Sequence, residues 1–286
     1  MVVGVDGSPG SRSALVWALA DAARRGAVLV VLATFPVEVY WGDPHLLDDR
    51  HVDTVRSDTE ARVEALVEEL RGTWDVVIEV EVAAGPPAAR LVEASGAADL
   101  LVVGSRGRGA VRSTVLGSVA LHCVTHASCP VVVVHPQEEM ASGRARVVVG
   151  LDGSSGSVAA LERSLHEATL IAGEVVVLAA YSPESYWSDA YDVVVPPIER
   201  LREGVSRNAG SIVADVVDAA SPGAPPVQLE LIEGAAGEVL VRRAVGATLL
   251  VVGGRGRGAL RGMLLGSVAL HCVLHASCPV LVVRLS

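Results

Sequence analysis

Short apolar runs alternate along the chain with segments whose apolar residues recur every three or four positions. In the first half the runs fall near 2–5, 28–34, 75–82, 99–103 and 130–134, and in the second near 147–151, 174–180, 226–232, 248–252 and 279–284. Runs this short, rich in Val and Leu, read as strands buried on both faces, as in a parallel sheet covered by helices. Between them, Ala14, Leu15, Ala18, Leu19 and Ala22 share one helical face, and Val63, Leu66, Val67 and Leu70 share another. Ser11 and Gly26 read as the brackets of the first helix. Regular alternation of strand and helix predicts parallel sheets with right-handed crossovers. Segments 40–51 and 182–195, rich in Trp, Tyr, Asp and Pro, read as longer loops.

The pattern occurs twice because the chain is duplicated. Residues 116–134 read LGSVALHCVTHASCPVVVV and residues 265–283 read LGSVALHCVLHASCPVLVV, with two differences in 19 positions. The starts correspond too, Val2-Val3-Gly4-Val5-Asp6-Gly7-Ser8 against Val148-Val149-Gly150-Leu151-Asp152-Gly153-Ser154. A repeat of this length is two fused domains, not a solenoid. The expected domains are 1–135 and 146–286, joined by 135–145, a stretch with Pro136, Ser142 and Gly143 and no strong periodicity.

Composition narrows the chemistry. Aromatic residues are only 3% of the chain against 51% hydrophobic residues, so Val, Leu and Ala must fill the cores. No apolar stretch approaches the roughly 20 residues of a membrane span, and the first residues run directly into a strand pattern. The expectation is a cytoplasmic protein without a signal peptide, with reduced cysteines. A formal charge of −10 argues against general nucleic-acid binding, which needs a basic surface. All 23 basic residues are Arg. The lack of Lys excludes a P-loop lysine, a Schiff-base lysine and a kinase-type lysine.

Each half has a Gly-rich turn between its fourth strand and the next helix. The first is Gly104-Ser105-Arg106-Gly107, nine residues, then Gly117-Ser118; the second is Gly253-Gly254-Arg255-Gly256, nine residues, then Gly266-Ser267. Glycines let backbone approach a ligand without a Cβ, and a helix start offers unpaired N–H groups to an anion. Ser118 and Ser267 would cap the helix or donate their hydroxyls to phosphate. Many Gly-rich βα loops only make a turn, but two copies at identical spacing, each paired with an Asp after the first strand, favour a ligand. Those residues are Asp6 and Asp152. With strand order 3-2-1-4-5, strands 1 and 4 are neighbours where the winding reverses, so Asp and Gly loop should face one cleft. There the carboxylate would accept hydrogen bonds from ribose hydroxyls or an adenine amino group, cap the following helix, or do both. Neither loop fits G-x-x-x-x-G-K-[ST], and neither first strand is followed by G-x-G-x-x-G.

The pattern G-x-x-G, nine residues, G-[ST], with an Asp ending the first strand and a closing Cys-Pro-Val run, resembles the universal stress protein family, specifically its ATP-binding branch. The resemblance covers nearly the whole chain, twice, as in tandem members. It implies two Rossmann-like α/β domains of the adenine nucleotide alpha hydrolase type, each a five-stranded parallel sheet flanked by helices. It implies one ATP per domain, with Mg2+. The first site would use Asp6 for the ribose, Gly104, Gly107, Gly117 and Ser118 for phosphates, and main chain near Val5, Thr34, Val103 and Val119. The second would use Asp152, Gly253, Gly256, Gly266 and Ser267, with main chain near Leu151, Ala180, Val252 and Val268. Gly254 departs from the first loop, where Ser105 stands. Family members act in stress survival, dormancy and signalling, mostly without a defined reaction, and dimerise or pseudo-dimerise. An intrachain pseudo-dimer is expected here, with the apolar last strands 131–134 and 280–283 meeting, because bare apolar edges invite aggregation.

Other signals are weaker. Arg106, Arg108 and Arg112, with Arg255, Arg257 and Arg261, would clamp phosphate or stay solvated. Trp41 and Trp187 would close over a nucleotide or pack on the surface. His122, Cys123, His126 and Cys129, repeated by His271, Cys272, His275 and Cys278, are zinc-ligand types. Consecutive His and Cys point apart on a helix, however, and Cys129 precedes Pro130 at a strand start, so no metal site is expected. The reading is a nucleotide-binding sensor or regulator with no membrane or nucleic-acid partner. Its main rival is a slow ATPase or nucleotidyl-transfer enzyme on the same fold, and a scaffold that has lost its nucleotide is a second.

Overall fold

The computed structural model describes residues 1–35, 49–107, 116–136, 144–182, 197–220, 223–256 and 264–284. Contacts divide the chain into two units, Met1–Pro136 and Gln137–Ser286. The first runs β1 (Val2–Val5), α1 (Pro9–Arg25), β2 (Leu29–Phe35), α2 (Asp49–Arg71), β3 (Ile78–Ala84), α3 (Pro87–Ala94), β4 (Leu101–Gly104), α4 (Ser118–His126) and β5 (Val131–Val134). All its strand pairings are parallel, β3 with β2, β2 with β1, β1 with β4 and β4 with β5. The expected order 3-2-1-4-5 follows.

The second unit repeats the series as β6 (Arg146–Gly150), α5 (Ser155–Leu170), β7 (Glu174–Tyr181), α6 (Ile198–Ala219), β8 (Val227–Glu233), α7 (Ala236–Arg243), β9 (Leu249–Gly253), α8 (Ser267–His275) and β10 (Val280–Val283). Its parallel pairings give the order β8-β7-β6-β9-β10. In both units the winding reverses beside the first strand, at β1/β4 and β6/β9. A crevice opens there at the strand C-termini.

Burial explains why the strands could be read from apolar runs. Val3, Leu101, Val102 and Val131 are fully buried, as are Leu15 and Leu19 of α1 above them. In β3, exposed Glu79 and Glu81 alternate with half-buried apolar neighbours, so one face meets water. The reading of that strand as 75–82 starts three residues early. Val77 is exposed, and the pairing register begins at Leu29 opposite Ile78.

The first helix also differs from expectation. It starts at Pro9, with Ser8 as N-cap accepting from the Ser11 backbone N–H, and Pro occupies the first turn, where its missing N–H costs nothing. Ser11 therefore lies inside the helix. Gly26 does end it, in the left-handed conformation at φ 60°. On its buried side Asp21 pairs with Arg25 at 2.6 Å and Arg24 at 3.3 Å, and on α5 Glu167 pairs with Arg163 at 2.6 Å.

Trp41, Trp187, Arg108, Arg112, Arg257, Arg261 and most of the two expected long loops lie outside the described residues, as does 137–143 of the expected linker. Asp49 already begins α2, so the helix takes the end of the first of those loops. Among the described residues, no helix is long and apolar enough to cross a membrane.

Candidate functional site

One wall of each crevice begins where the first strand stops. Asp6 follows Val5, and its Oδ1 accepts the Ser8 N–H at 2.9 Å, a turn that holds the exposed carboxylate at the strand end. Asp152 accepts the Ser154 N–H at 2.9 Å in the same way. Helix capping falls to Ser8 and Ser154 instead of the aspartates, because a carboxylate engaged in its own turn stops short of the helix N–H groups. The alternative reading of Asp6 and Asp152 as caps is thereby corrected.

The facing wall is the Gly loop. The Ser105 N–H donates to the Val134 carbonyl at 2.8 Å, and the Gly117 N–H donates to the Ser105 carbonyl at 2.7 Å, so the start of the loop is tied to β5 and its end is tied to its start. Gly254 and Gly266 repeat these bonds, each at 2.7 Å. The glycines serve different ends. A Cβ on Gly104 would stand 2.5 Å from the Gly10 carbonyl carbon and oxygen, so this glycine lets β4 pack directly on the backbone of α1. A Cβ on Gly117 would meet nothing nearer than the Ser105 carbonyl oxygen at 3.5 Å, an ordinary contact. The protein itself leaves room there.

Gly117 and Gly266 are also the N-caps of α4 and α8, so Ser118 and Ser267 are the first helical residues and do not cap. A glycine cap brings no side-chain oxygen to the first-turn N–H groups. Those two serines are exposed and stand on the crevice wall. The hydroxyl of Ser105 is fully buried and has no hydrogen-bond partner among the described residues. Its replacement by Gly254 therefore removes nothing from the wall of the second crevice.

The first crevice is a cavity of about 890 Å³. Val5, Asp6, Thr34, Val103, Gly104, Arg106, Gly107, Gly117, Ser118 and Val119 all line it. The second has a volume of about 290 Å³ and is lined by Leu151, Asp152, Ala180, Val252, Gly253, Arg255, Gly256, Gly266, Ser267 and Val268. Every described residue that the sequence marked for a site thus stands on one of two walls. The sequence reading missed the apolar side, where Pro86, Pro87 and Leu91 close the first cavity and Ala236, Val239 and Leu240 close the second. The signal was a glycine inside each first strand. A Cβ on Gly4 would lie 2.9 Å from Leu91 Cδ1, and one on Gly150 would lie 2.9 Å from Leu240 Cδ1.

The cavities differ in one wall residue in particular. Val239 is buried and lines the second cavity. Its counterpart Arg90 turns outward, donating to the Ala84 carbonyl at 2.9 Å and pairing with Glu93 at 2.8 Å. Thr34 likewise lines the first cavity where Ala180 lines the second.

The His/Cys motif is split by the helix. Cys123, Cys129, Cys272 and Cys278 are free and buried. Burial pushes the Cys123, Cys272 and Cys278 thiols up to about 12 and Cys129 up to about 11. His122 and His126 lie on the opposite, exposed side of α4. Among the described residues, no three His, Cys, Asp or Glu side chains form a group able to hold a metal ion.

The Universal stress protein family model matches this sequence at residues 1–135 and again at 143–284. A universal stress protein of Mycobacterium tuberculosis is 34% identical over 298 residues, covering 100% of this chain and 97% of that protein. A second, from Mycolicibacterium smegmatis, is 32% identical over 291 residues, covering 99% and 96%. Among solved structures, a universal stress protein from Archaeoglobus fulgidus shares the fold with a TM-score of 0.73 at 22% identity, covering 99% of this chain and 97% of that one.

Proposed function

This chain belongs to the universal stress protein family, and we propose that each of its halves binds one ATP, so that nucleotide occupancy regulates a stress or dormancy response in the cytoplasm. The observation that carries the reading is the pair of helix N-termini at Gly117 and Gly266. In each, a glycine-capped helix start opens onto a cavity that also holds an arginine and, across the cleft, a carboxylate. First-turn N–H groups and the positive end of the helix dipole suit an anion. The carboxylates of Asp6 and Asp152 suit ribose hydroxyls as hydrogen-bond donors. An adenine base would lie against Leu32, Pro87 and Leu91 in the first site, between that apolar wall and the main chain at Val5 and Thr34. Arg106 and Arg255 would sit beside the phosphates, and Mg2+ would be held chiefly by phosphate oxygens and water.

The same groups support regulation over catalysis. Each crevice receives one aspartate among its described wall residues, and the chain has no Lys to offset charge on a γ-phosphate. A site so composed would bind the nucleotide in its ground state, with no second carboxylate among its described residues to activate water. Equilibrium titration of the nucleotide-free chain tests the reading. Two ATP per chain are expected, with ATP preferred over GTP. Absence of binding, or a GTP preference, would overturn it. Turnover near the ~10 s⁻¹ median of enzymes, abolished by Asp6→Ala with Asp152→Ala, would favour the enzymatic rival.

A further inference from the structure

We propose that His122 and His126 form a binding site for a divalent transition-metal ion on the exposed face of α4, and that His271 and His275 repeat it on α8. Nucleotide binding makes no use of these residues, and the inference does not rest on it.

Residues four apart on a helix share a face, the spacing at which two imidazoles can hold one metal ion. Here the side chains are already together. The His122 and His126 rings are stacked with centroids 4.2 Å apart, and the His271 and His275 rings lie 4.5 Å apart. His126 Nδ1 stands 3.1 Å from the His122 carbonyl oxygen. A carbonyl only accepts, so in the neutral ring Nδ1 is the donor and the lone pair on Nε2 is left for a ligand. A backbone carbonyl fixing the tautomer in this way is the usual support of a metal-binding histidine.

The setting favours a cation. His126 and His275 end their helices, where the dipole is negative. Neither α4 nor α8 carries an Arg, Asp or Glu. On α7, Gly237 makes room for the second pair, since a Cβ there would stand 2.8 Å from His271 Cδ2. The buried cysteines face away and do not contribute, so this is not the four-ligand zinc site that the sequence motif suggests. Two imidazoles with water in the remaining positions suit Cu2+, Ni2+ or Zn2+ and not Mg2+ or Ca2+, with Cu2+ bound tightest.

The test is titration of the full, chelator-treated chain with NiCl2 and with ZnCl2, followed by calorimetry, for the natural sequence and for His126→Gln, His275→Gln and the double variant. His126 and His275 are exposed, so the variants should keep the fold, which circular dichroism checks. Each single substitution is expected to remove one bound ion per chain and the double substitution two, with MgCl2 giving no heat at the same concentrations. An unchanged stoichiometry in the double variant would overturn the proposal, as would failure of the natural chain to bind either metal up to millimolar concentration. Ni2+ should also raise the unfolding temperature of the natural chain more than that of the double variant; equal shifts would count against the site.

Discussion

A Cβ placed on Gly107 would stand 2.8 Å from Asp6 Oδ2, so the Gly loop after β4 and the carboxylate after β1 meet across the cleft at a point where only hydrogen fits. Gly256 and Asp152 repeat the contact, at 2.6 Å. Gly107→Ala should push the Asp6 carboxylate off its position while leaving the sheet intact. ATP affinity at the first site should fall about tenfold, or about 1.4 kcal/mol. Calorimetric titration of a chain whose second site is disabled by Gly266→Val would measure it, and unaltered affinity would count against Asp6 as a ribose ligand.

Two glycines of one loop should fail differently. Gly104→Ala forces β4 away from the α1 backbone and should cost about 1–3 kcal/mol of stability. Gly117→Val meets no such obstacle. It should cost at most about 1 kcal/mol, through a poorer helix cap, yet abolish nucleotide binding in the first half alone. Urea unfolding and nucleotide titration of both variants separate the two roles.

The first site should fill before the second, because its cavity is about 890 Å³ against about 290 Å³. Binding isotherms should resolve two steps, and Gly117→Val should remove the tighter one. Val239→Ala should strengthen the weaker step by removing a buried wall residue. Two equal steps in the natural chain would show that the second site opens at little cost.

The carboxylate of Asp21 is buried against Arg25, itself largely covered. Asp21→Ala removes the buried carboxylate that the guanidinium pairs with and should cost about 3 kcal/mol, near the lower end for a broken buried pair. Replacing Asp21 and Arg25 together by apolar residues should recover most of that loss. Chemical denaturation of the single and double variants provides the comparison.

Alkaline pH should destabilise the fold through its thiols. An unfolded cysteine ionises near pH ~8.5, whereas burial raises Cys123 to about 12. Between those values the unfolded chain has lost its proton and the native chain has kept it. Stability from this group is therefore complete below the unfolded pKa and declines as pH rises toward the folded one, by up to about 1.4 kcal/mol per pH unit. Cys123→Ala should flatten the decline in urea midpoint between pH 9 and 11. At pH 7 native Cys123 should resist alkylation that the unfolded chain accepts.

The sequence by itself determined the duplication, the alternation of strand and helix, and the glycine loops and aspartates that face each other, while the strand order came with the family resemblance. These rest on local regularities. A strand buried on both faces must be an apolar run, and a loop that bends tightly beside a helix start must be rich in glycine. Tertiary structure decided what such patterns cannot encode, namely which atoms meet. Gly104 and Gly117 look alike in the loop motif, yet one is pressed on the α1 backbone and the other would meet only ordinary contacts at 3.5 Å and beyond. Asp6 and Ser8 both have capping chemistry, and only the turn at the end of β1 assigns the cap to Ser8. Likewise His122 and Cys123 are adjacent in sequence, but the 100° step of the helix sends one to the surface and the other into the core.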